Sequence, residues 1–507
     1  MATVIEFPAS LRTSSYTIFV DLPTDASHVL LVHGYSGAYD LVSMGVAGFL
    51  RSKQVANRHK PLYGAWSPEP GVDDVPGLTP PSPATVESLR RRGYLTELSL
   101  EAEEALLGKI ATTLHESQSR RPDYIFMPTY DCNLRCFYCF QDHMRTDPRF
   151  KFLLKTMNRE LVDRLFLGMA NLEAMHGLTA GEVNRRIGFF GGEPLLAANR
   201  PIVEYIVERA ATETPASFWA VSNATDLDAY QDLLRPDRIS QLQITLDGPP
   251  KEHDTRRIYA DGSGSYERIA RNITMALDQK VNVNVRMNID RNNISQLPEL
   301  ADEVIDRGWD RYPNFSIYAA PIHPSNAKTD RKTTFTTWQL DEAMQQLGNA
   351  MPQLQVMDRP DERLKDQARA IFDQGTYPGL KGAFCGAINA MYILDAFADI
   401  YACWERTGDQ RIRIGRVADD GTVTLARVVT EAWRNRNVAN NDVCRKCRFA
   451  LYCGGGCAVL AEGRRGNMSV NFCDGYAARF RGMVAEAYVE HATGGARKVK
   501  QALACDL

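Results

Sequence analysis

The chain has 507 residues, of which 44% are hydrophobic, and its formal net charge at pH 7 is -3. This length allows about three domains, and the composition is that of an ordinary globular protein. Because charges of both signs are mixed, electrostatics give no reason to expect a nucleic-acid or membrane partner. Residues 1–15 lack the features of a secretion signal and no stretch of about 18 apolar residues occurs, so we expect a cytoplasmic protein.

The eleven cysteines are grouped along the sequence, which is typical of metal ligands in a reducing compartment. The first group, Cys132, Cys136 and Cys139, follows the apolar, strand-like segment 124–127. Three thiolates at these spacings can hold a 4Fe–4S cluster and leave its fourth iron without a protein ligand. Such an iron can bind a small molecule and pass it an electron. A zinc site is the alternative, but zinc requires four ligands and no fourth lies nearby in the sequence.

From residue 121 to about residue 350 the sequence alternates β-branched or aromatic runs with helical segments, which is typical of βα units around a parallel sheet. The predicted strands are 124–128, 186–190, 218–222, 242–246, 281–288 and 315–319. Helices are predicted between them, for example at 158–175 and 266–279. In barrels built from such units the chemistry lies at the C-terminal ends of the strands.

Polar or glycine-rich motifs occur at three of those strand ends. Their members are Gly191, Gly192, Glu193 and Pro194 after the second strand, Ser222 and Asn223 at the end of the third, and Thr245 at the end of the fourth with Arg257 just beyond it. Two glycines let the backbone approach a ligand closely, and a carboxylate can accept hydrogen bonds from an ammonium group. Taken singly, these residues could also be ordinary turns and strand-end caps. Their positions after successive strands favour one pocket.

The cysteine triad and these motifs together resemble the signature of the radical S-adenosyl-L-methionine (SAM) enzymes, whose α/β fold is a partial (β/α)6 barrel. In those enzymes the open iron chelates the amino and carboxylate groups of SAM. The resemblance implies that the Gly-Gly-Glu-Pro motif binds the SAM amino group and that Arg257 binds the SAM carboxylate. It places Tyr138 on the adenine side, gives Thr245 a ligand hydrogen bond, and makes Arg286 of the fifth strand a further candidate.

A second cysteine group begins with Cys385 and Cys403, continues as Cys444-x2-Cys447-x5-Cys453-x3-Cys457 and ends at Cys473. This pattern resembles the SPASM domain, with Ala398 in place of the family glycine. The resemblance implies two auxiliary 4Fe–4S clusters, and so three clusters in all. Their ligands would be Cys385, Cys403 and Cys457 for the first, and Cys444, Cys447, Cys453 and Cys473 for the second. Zinc ribbons are the alternative for paired cysteines.

Family members usually carry a further cysteine between the first two of the SPASM pattern. None occurs between Cys385 and Cys403. The first auxiliary cluster is therefore expected either to keep an open iron for a donor group of the substrate or to be closed by another ligand. The candidate closing ligands are water, Asp395, Asp399 and Cys505.

Residues 1–120 are predicted to form a small α+β unit, with strands at 16–20 and 28–32, helices at 43–51 and 85–92, and a third helix capped by Ser99. Residues 61–83, with seven prolines, are predicted to be an irregular loop. The unit resembles the peptide-recognition element of many ribosomal-peptide maturases, and its strand at 16–20 is expected to be exposed to a peptide. A purely structural cap is the alternative. The remaining boundaries are 121–350 for the barrel, 351–382 for a linker, 383–480 for the SPASM domain and 481–507 for a C-terminal helix and tail.

The resemblance implies an enzyme that cleaves SAM reductively to a 5′-deoxyadenosyl radical and abstracts hydrogen from a ribosomally made peptide, installing a crosslink, a thioether or an oxidation. Its partners would be a precursor peptide and a reductant such as flavodoxin or ferredoxin. An anaerobic sulfatase maturase is the first alternative. Those enzymes carry an aspartate just after the second SPASM cysteine, where this chain has Trp404, and Glu405 is the candidate base one residue later. A non-catalytic iron–sulfur electron-transfer protein is the alternative from another class.

Overall fold

The structure is a computed structural model that describes residues 11–55, 81–179 and 182–494. Most of the predicted proline-rich loop, and Cys505, lie outside these residues. By compactness the described residues fall into two units. The first contains residues 11–55, 81–118, 361–385 and 435–494, and the second contains residues 119–179, 182–360 and 386–434.

Strands and α-helices are numbered in chain order. The strands are β1 (Arg12–Thr13), β2 (Thr17–Asp21), β3 (His28–His33), β4 (Tyr39–Ser43), β5 (Leu95–Thr96), β6 (Asp123–Met127), β7 (Arg185–Phe189), β8 (Ala216–Ser222), β9 (Ile239–Thr245), β10 (Asn282–Ile289), β11 (Phe315–Pro321), β12 (Met391–Asp395), β13 (Asp399–Tyr401), β14 (Gly415–Val417) and β15 (Val423–Leu425). The helices are α1 (Met44–Ser52), α2 (Pro83–Arg92), α3 (Leu100–Gln118), α4 (Asp142–Thr146), α5 (Arg159–Met175), α6 (Arg200–Glu213), α7 (Pro250–Arg256), α8 (Tyr266–Asp278), α9 (Leu297–Asp306), α10 (Thr337–Ala350), α11 (Glu362–Gln374), α12 (Arg427–Arg434), α13 (Asp442–Arg445), α14 (Ala450–Cys453), α15 (Ala458–Arg465) and α16 (Tyr476–Ala492).

The second unit is organised around six parallel strands, β6 to β11, which pair in chain order. They confirm the six predicted strands, with small differences at the ends. Residues at helical spacing explain why α8 forms between two of them, because Tyr266, Ile269, Ile273 and Leu277 are all buried on one face. Parallel strands end at the same edge of a sheet, so the loops after β6 to β10 are brought together.

The same sheet continues beyond β6 through strands that were not predicted. Strand β12 pairs with β6 in parallel, and β13, β14 and β15 follow antiparallel, which gives a mixed sheet of ten strands. Residues 391–401 therefore form a hairpin whose turn lies at the C-terminal end of β6. The turn includes Ala398, whose φ of 60° is in the left-handed region where a glycine would be less strained.

The first unit contains a three-stranded antiparallel sheet in the order β2-β3-β4. Helices α1, α2 and α3 confirm the three predicted helices, and the Ser99 hydroxyl accepts a hydrogen bond from the Ala102 amide at 3.1 Å, as expected for a helix cap. Both faces of the sheet are covered: α1 and α2 pack on one, and α11 and α16 from much later in the chain pack on the other.

The predicted exposure of the strand at 16–20 is wrong. Tyr16 and Val20 are 2% and 0% exposed, because side chains of this strand contribute to the cores on both sides of the sheet. Its outer edge is also covered, since Arg448 and Arg481 donate hydrogen bonds to the carbonyls of Thr17 and Phe19 at 2.7 and 3.1 Å.

Among the described residues, no helix combines the length and apolar character needed to cross a bilayer.

Candidate active site

The first cysteine group lies in the loop that follows β6. The Cys139 amide donates to the Cys136 carbonyl at 3.1 Å, and the Leu134 amide donates to Cys132 Sγ at 3.4 Å, so the loop turns tightly around the sulfur atoms. No disulfide joins any of the ten cysteines in the described ranges. Burial raises the pKa of the Cys132 and Cys136 thiols to about 12 and about 11, so they need a positive partner to become thiolate ligands.

An arginine beside these thiols supports a cluster. Arg145 Nη2 donates to Cys139 Sγ at 3.1 Å, and its charge lowers the pKa of Cys132 and Cys136 against the effect of burial. Its Nε atom is buried without a hydrogen-bond partner in the described part of the chain. A buried cation fits the net negative charge of an iron–sulfur cluster with thiolate ligands.

The described residues form no compact group of ligands for a single metal ion. Within the ranges that the structure describes, no three His, Cys, Asp or Glu side chains converge as the ligands of one ion would. A four-iron cluster binds its thiolates through several iron atoms, whereas zinc gathers its ligands around one ion.

The Gly-Gly-Glu-Pro loop after β7 packs directly on the cysteine loop. A Cβ atom added to Gly192 would lie closer than 3.0 Å to the carbonyl oxygens of Tyr130 and Asp131, and one added to Gly191 would be equally close to the Thr129 carbonyl. The Glu193 amide donates to the Asp131 carbonyl at 2.7 Å. The two glycines therefore allow contact between two backbone loops, a reason that the sequence alone did not reveal.

Glu193 ties the ends of two strands together. Its carboxylate accepts hydrogen bonds from the Ser222 hydroxyl at 2.8 Å, the Asn223 amide at 2.6 Å and the Leu195 amide at 2.9 Å. Burial raises its pKa to about 7. The carbonyl of Pro194, the next residue, accepts from Asn199 at 3.3 Å. Four of the predicted SAM-site residues are thus linked within a few ångströms.

The end of β8 reaches the first cysteine. Asn223 Nδ2 lies 3.7 Å from Cys132 Sγ and 2.8 Å from Asn133 Oδ1, and Asn133 in turn donates to the Thr225 hydroxyl at 2.8 Å. Between Asn223 and Thr225, Ala224 has a φ of 65°, a strained conformation for a residue with a side chain. Sequence reasoning missed Asn133 and Thr225, because isolated polar residues of this kind carry no spacing signal.

A second network surrounds Tyr138. Its hydroxyl donates to Asp247 and accepts from Arg257 Nη1 at 2.7 Å and from Asn288 Nδ2 at 3.2 Å. Arg286 Nε donates to Asn288 Oδ1 at 3.0 Å, which connects Arg286, the predicted residue of β10, to this network. Burial is the largest cause that raises the pKa of Tyr138, so the phenol stays protonated.

Arg257 and Thr245 lie beside the Tyr138 network and are both buried. Arg257 is buried, and its Nε atom has no hydrogen-bond partner among the described residues. An unpaired guanidinium nitrogen suits an anionic ligand group such as a carboxylate. Thr245 is also buried and lies directly opposite Arg286 in the register of β9 and β10.

Trp404 and Glu405 lie beside the ends of the parallel strands. The Trp404 ring packs on Phe190, just after β7, with 5.6 Å between ring centroids. Burial raises the pKa of Glu405, and the positive charge of Arg286 opposes this effect. The segment after Cys403 therefore contributes to the same end of the sheet as the SAM motifs.

Hydrogen bonds occupy the two carboxylates that were considered as closing ligands of the first auxiliary cluster. Asp395 Oδ1 accepts from the amides of Phe397 and Asp399 at 2.9 Å, and its Oδ2 accepts from Tyr130 at 2.9 Å. Asp399 pairs with Arg413 at 2.8 Å. The bonds to both oxygens of Asp395 argue against ligation by that residue, whereas Arg413 and Arg416 both face Oδ1 of Asp399, which stays a candidate.

Most of the second cysteine group is assembled in the first unit by a triple-glycine turn. Gly454, Gly455 and Gly456 all have positive φ angles, between 75° and 92°. A Cβ atom on Gly454 would collide with the backbone just before Cys385, and one on Gly456 would collide with the backbone just before Cys473. The turn thus holds two distant cysteine-bearing segments against Cys453 and Cys457. Cys403 belongs to the other unit, so its grouping with Cys385 and Cys457 stays a prediction.

Comparison with known proteins agrees with the sequence motifs. Residues 126–304 match the model of the Radical SAM superfamily. The chain is 26% identical over 175 residues to the cysteine-type anaerobic sulfatase-maturating enzyme of Clostridium novyi (strain NT), covering 34% of this chain and 44% of that protein. It is 30% identical over 201 residues to GTP 3′,8-cyclase 1 of Pseudomonas aeruginosa, covering 38% of this chain and 54% of that protein. The chain therefore spans about half the length of these curated relatives.

The fold is also similar to a solved structure. Native anSMEcpe with bound AdoMet and Cp18Cys peptide aligns with a TM-score of 0.51 at 15% identity, covering 73% of this chain and 98% of that one. At this identity the likeness concerns the fold alone. Taken together, the matches identify residues 126–304 as a radical SAM domain and show that this chain is homologous, over 34% of its length, to an anaerobic sulfatase-maturating enzyme.

Proposed function

We propose that the protein is a radical SAM enzyme that abstracts hydrogen from a ribosomally made peptide and installs a crosslink, a thioether or an oxidation. One observation carries the proposal: the cysteine loop, the Gly-Gly-Glu-Pro loop and the Tyr138 network meet at the C-terminal edge of six parallel strands. In this proposal those strands are a partial (β/α)6 barrel. Residues 383–480 are a SPASM domain with two auxiliary clusters.

The chain's own residues bind and orient the reactants. Bound cluster and SAM would supply one-electron cleavage and a carbon radical able to take hydrogen from a C–H bond. Cys132, Cys136 and Cys139 would hold the cluster, and the unpaired Arg257 Nε would bind the SAM carboxylate. The three partners of the Tyr138 hydroxyl fix that ring in one orientation, so it forms a rigid wall for the adenine side.

Peptide recognition is assigned to the first unit, at the edge of β4. The pairing of β3 with β4 directs the backbone N–H and C=O of Leu41 away from the sheet, and in the described part of the chain neither has a hydrogen-bond partner. Leu41 is also 40% exposed, although Arg92 donates to the Tyr39 carbonyl of the same strand at 3.1 Å; the opposite edge at β2 is covered by two arginines. An extended precursor segment can therefore add to β4 as a fourth strand.

Leu41→Pro tests this assignment, because proline removes the outward N–H but is tolerated at a strand edge. Leu41→Ala is the matched control, since it trims the side chain and keeps the N–H. We expect the proline variant to bind a fluorescent synthetic precursor, chosen from a short reading frame beside the gene, about tenfold more weakly than the alanine variant, in keeping with a lost backbone hydrogen bond. Equal affinities of the two variants would contradict binding at β4.

The proposed chemistry is tested by incubating dithionite-reduced, anaerobically reconstituted protein with SAM and measuring 5′-deoxyadenosine. A variant with Cys132, Cys136 and Cys139 changed to Ala should lose about four of about twelve irons and all SAM cleavage, because each cluster holds four irons. Retained 5′-deoxyadenosine in this variant would refute the assignment of the triad. A wild-type protein that binds iron but never cleaves SAM would instead favour the non-catalytic electron-transfer alternative.

A sulfatase-maturase-like activity is the second candidate, and homology to the Clostridium novyi enzyme favours it. The departure at Trp404 weighs against it, because an aspartate is expected at that position. Glu405 is the candidate base that could replace it, and it faces the charge of Arg286. Conversion of a cysteine to formylglycine in a sulfatase-derived peptide, followed by mass spectrometry, would decide for this candidate. Loss of that product in Glu405→Gln would assign the base.

A further inference from the structure

Arg436 is a buried arginine just before the C-terminal part of the second cysteine group. Only 6% of its surface is exposed. Its guanidinium donates hydrogen bonds to four backbone carbonyls, those of Gly455, Gly456, Met468 and Val470. One side chain thus joins the triple-glycine turn to the segment that leads to Cys473.

The charge of Arg436 is not balanced by a carboxylate. Two other buried arginines have one: Arg185 pairs with Glu173 at 2.7 Å, and Arg256 pairs with Asp290 at 3.1 Å. In the part of the chain that the structure describes, no Asp or Glu forms an ion pair with Arg436. Backbone carbonyl dipoles offset part of the cost of burying a charge, but a buried cation without an anion remains unfavourable. Burial accordingly lowers the pKa of Arg436.

The groups that can supply negative charge are thiols. The side chain of Arg436 interacts electrostatically with Cys457, Cys444, Cys385 and Cys453, in decreasing order. These four cysteines come from both of the predicted auxiliary ligand sets. A cluster bound by thiolates carries net negative charge, and reduction adds one more negative charge to it.

We propose that Arg436 is the buried counter-charge of the auxiliary iron–sulfur clusters, and that it holds their ligand segments in place and raises their reduction potential. This inference rests on the proposed function, since it requires that those clusters exist. A positive charge at this place stabilises the reduced, more negative form of a cluster more than the oxidised form. Arg436 is a positioning residue and takes no part in bond making.

The test uses the full chain with Cys132, Cys136 and Cys139 changed to Ala, so that only auxiliary clusters contribute to the spectrum. Redox titration followed by electron paramagnetic resonance gives the reduction potential, and iron analysis gives the cluster content. Arg436→Met removes the charge, whereas Arg436→Lys keeps it but cannot serve four carbonyls. Arg434→Met is the matched control, because Arg434 also donates to backbone carbonyls, those of Ala387 and Met391.

We expect Arg436→Met to lower the equilibrium constant for cluster reduction about tenfold, which is about 59 mV for a one-electron couple. The potentials of Arg436→Lys and Arg434→Met should stay near that of the parent. A second result would also support the role of the positive charge: the methionine variant loses its clusters, while the lysine variant keeps clusters whose reduction potential is close to that of the parent. Unshifted potentials in Arg436→Met, or equal loss of iron from both Arg436 variants, would overturn it. A parent protein without auxiliary iron would refute the proposed cluster content as well, so the two failures are distinguishable.

Discussion

The role of Gly192 can be tested with a single methyl group. Gly192 has no left-handed φ, so Gly192→Ala introduces no backbone strain of its own. The added Cβ would nevertheless lie within 3.0 Å of the carbonyl oxygens of Tyr130 and Asp131, and backbone atoms cannot swing aside as a flexible side chain can. The two loops must separate by on the order of 1 Å, at a cost of about 1–3 kcal/mol. Cys132, the residue after Asp131, must move with them.

We therefore expect Gly192→Ala to lose about four irons, the content of one cluster, and to form 5′-deoxyadenosine at least about 100-fold more slowly, since a displacement of about 1 Å at a reacting group can have that effect. The assay is iron analysis together with 5′-deoxyadenosine production from SAM. Gly348→Ala is the control, because an added Cβ at that position in α10 meets nothing within 4 Å. Full iron content with only weaker SAM binding in Gly192→Ala would refute the reasoning, because it would mean that Gly192 faces the ligand and not the cysteine loop.

Two further predictions concern buried charge. Burial raises the pKa of Asp395 to about 7. Between about pH 4 and pH 7 the folded protein therefore keeps this proton, whereas the unfolded chain releases it. The free energy of unfolding consequently falls as the pH rises through that window. Asp395→Asn should remove this pH dependence and raise the free energy of unfolding at pH 8, measured by urea denaturation, by on the order of 3 kcal/mol. Parallel curves of unfolding free energy against pH for the two proteins would contradict this prediction. Arg145→Met should keep the SAM-binding cluster but reduce its equilibrium constant for reduction about tenfold, since a hydrogen bond to a charged group contributes about 1.5–3 kcal/mol. The exposed Arg149→Met is its control, and equal potentials in the two variants would exclude a role for Arg145.

The parallel strands were predictable because each is a short segment with several β-branched or aromatic residues, and each buries apolar side chains. Strand β10, for example, alternates buried valines with residues that are only half buried, yet it lies between β9 and β11 as the sequence indicated. Strands β12 to β15 were missed because they are three to five residues long and their pairing is not local. The contact of β12 with β6 joins Met391 to Asp123, and no local pattern reports a partner at that separation.

In the candidate site, too, some residues are indicated by their spacing in the sequence and others are not. The cysteines were recognisable as candidate ligands because iron ligation fixes both the residue type and the interval. Arg145, Asn133 and Thr225 were not, because an arginine, an amide or a hydroxyl becomes informative only when the fold brings it to a thiol or to another site residue. The edge strand β4 was missed for a related reason, since its alternate residues face solvent and its sequence lacks the buried apolar run of β3.

In both cysteine groups, glycines that stand next to the motifs in the sequence also determine how the folded chain segments approach one another. Gly191 and Gly192 bring one backbone loop onto the loop that carries Cys132, and Gly454 and Gly456 bring two backbone segments onto the turn between Cys453 and Cys457. A thiolate site requires several chain segments to approach more closely than side chains permit, so the absence of a Cβ atom at these positions determines where the sulfur atoms can lie. The sequence displays the glycines beside the motifs, but only the fold shows that they contact protein backbone. For this reason we expect substitutions at these glycines to act first on cluster content, and on SAM chemistry only through it.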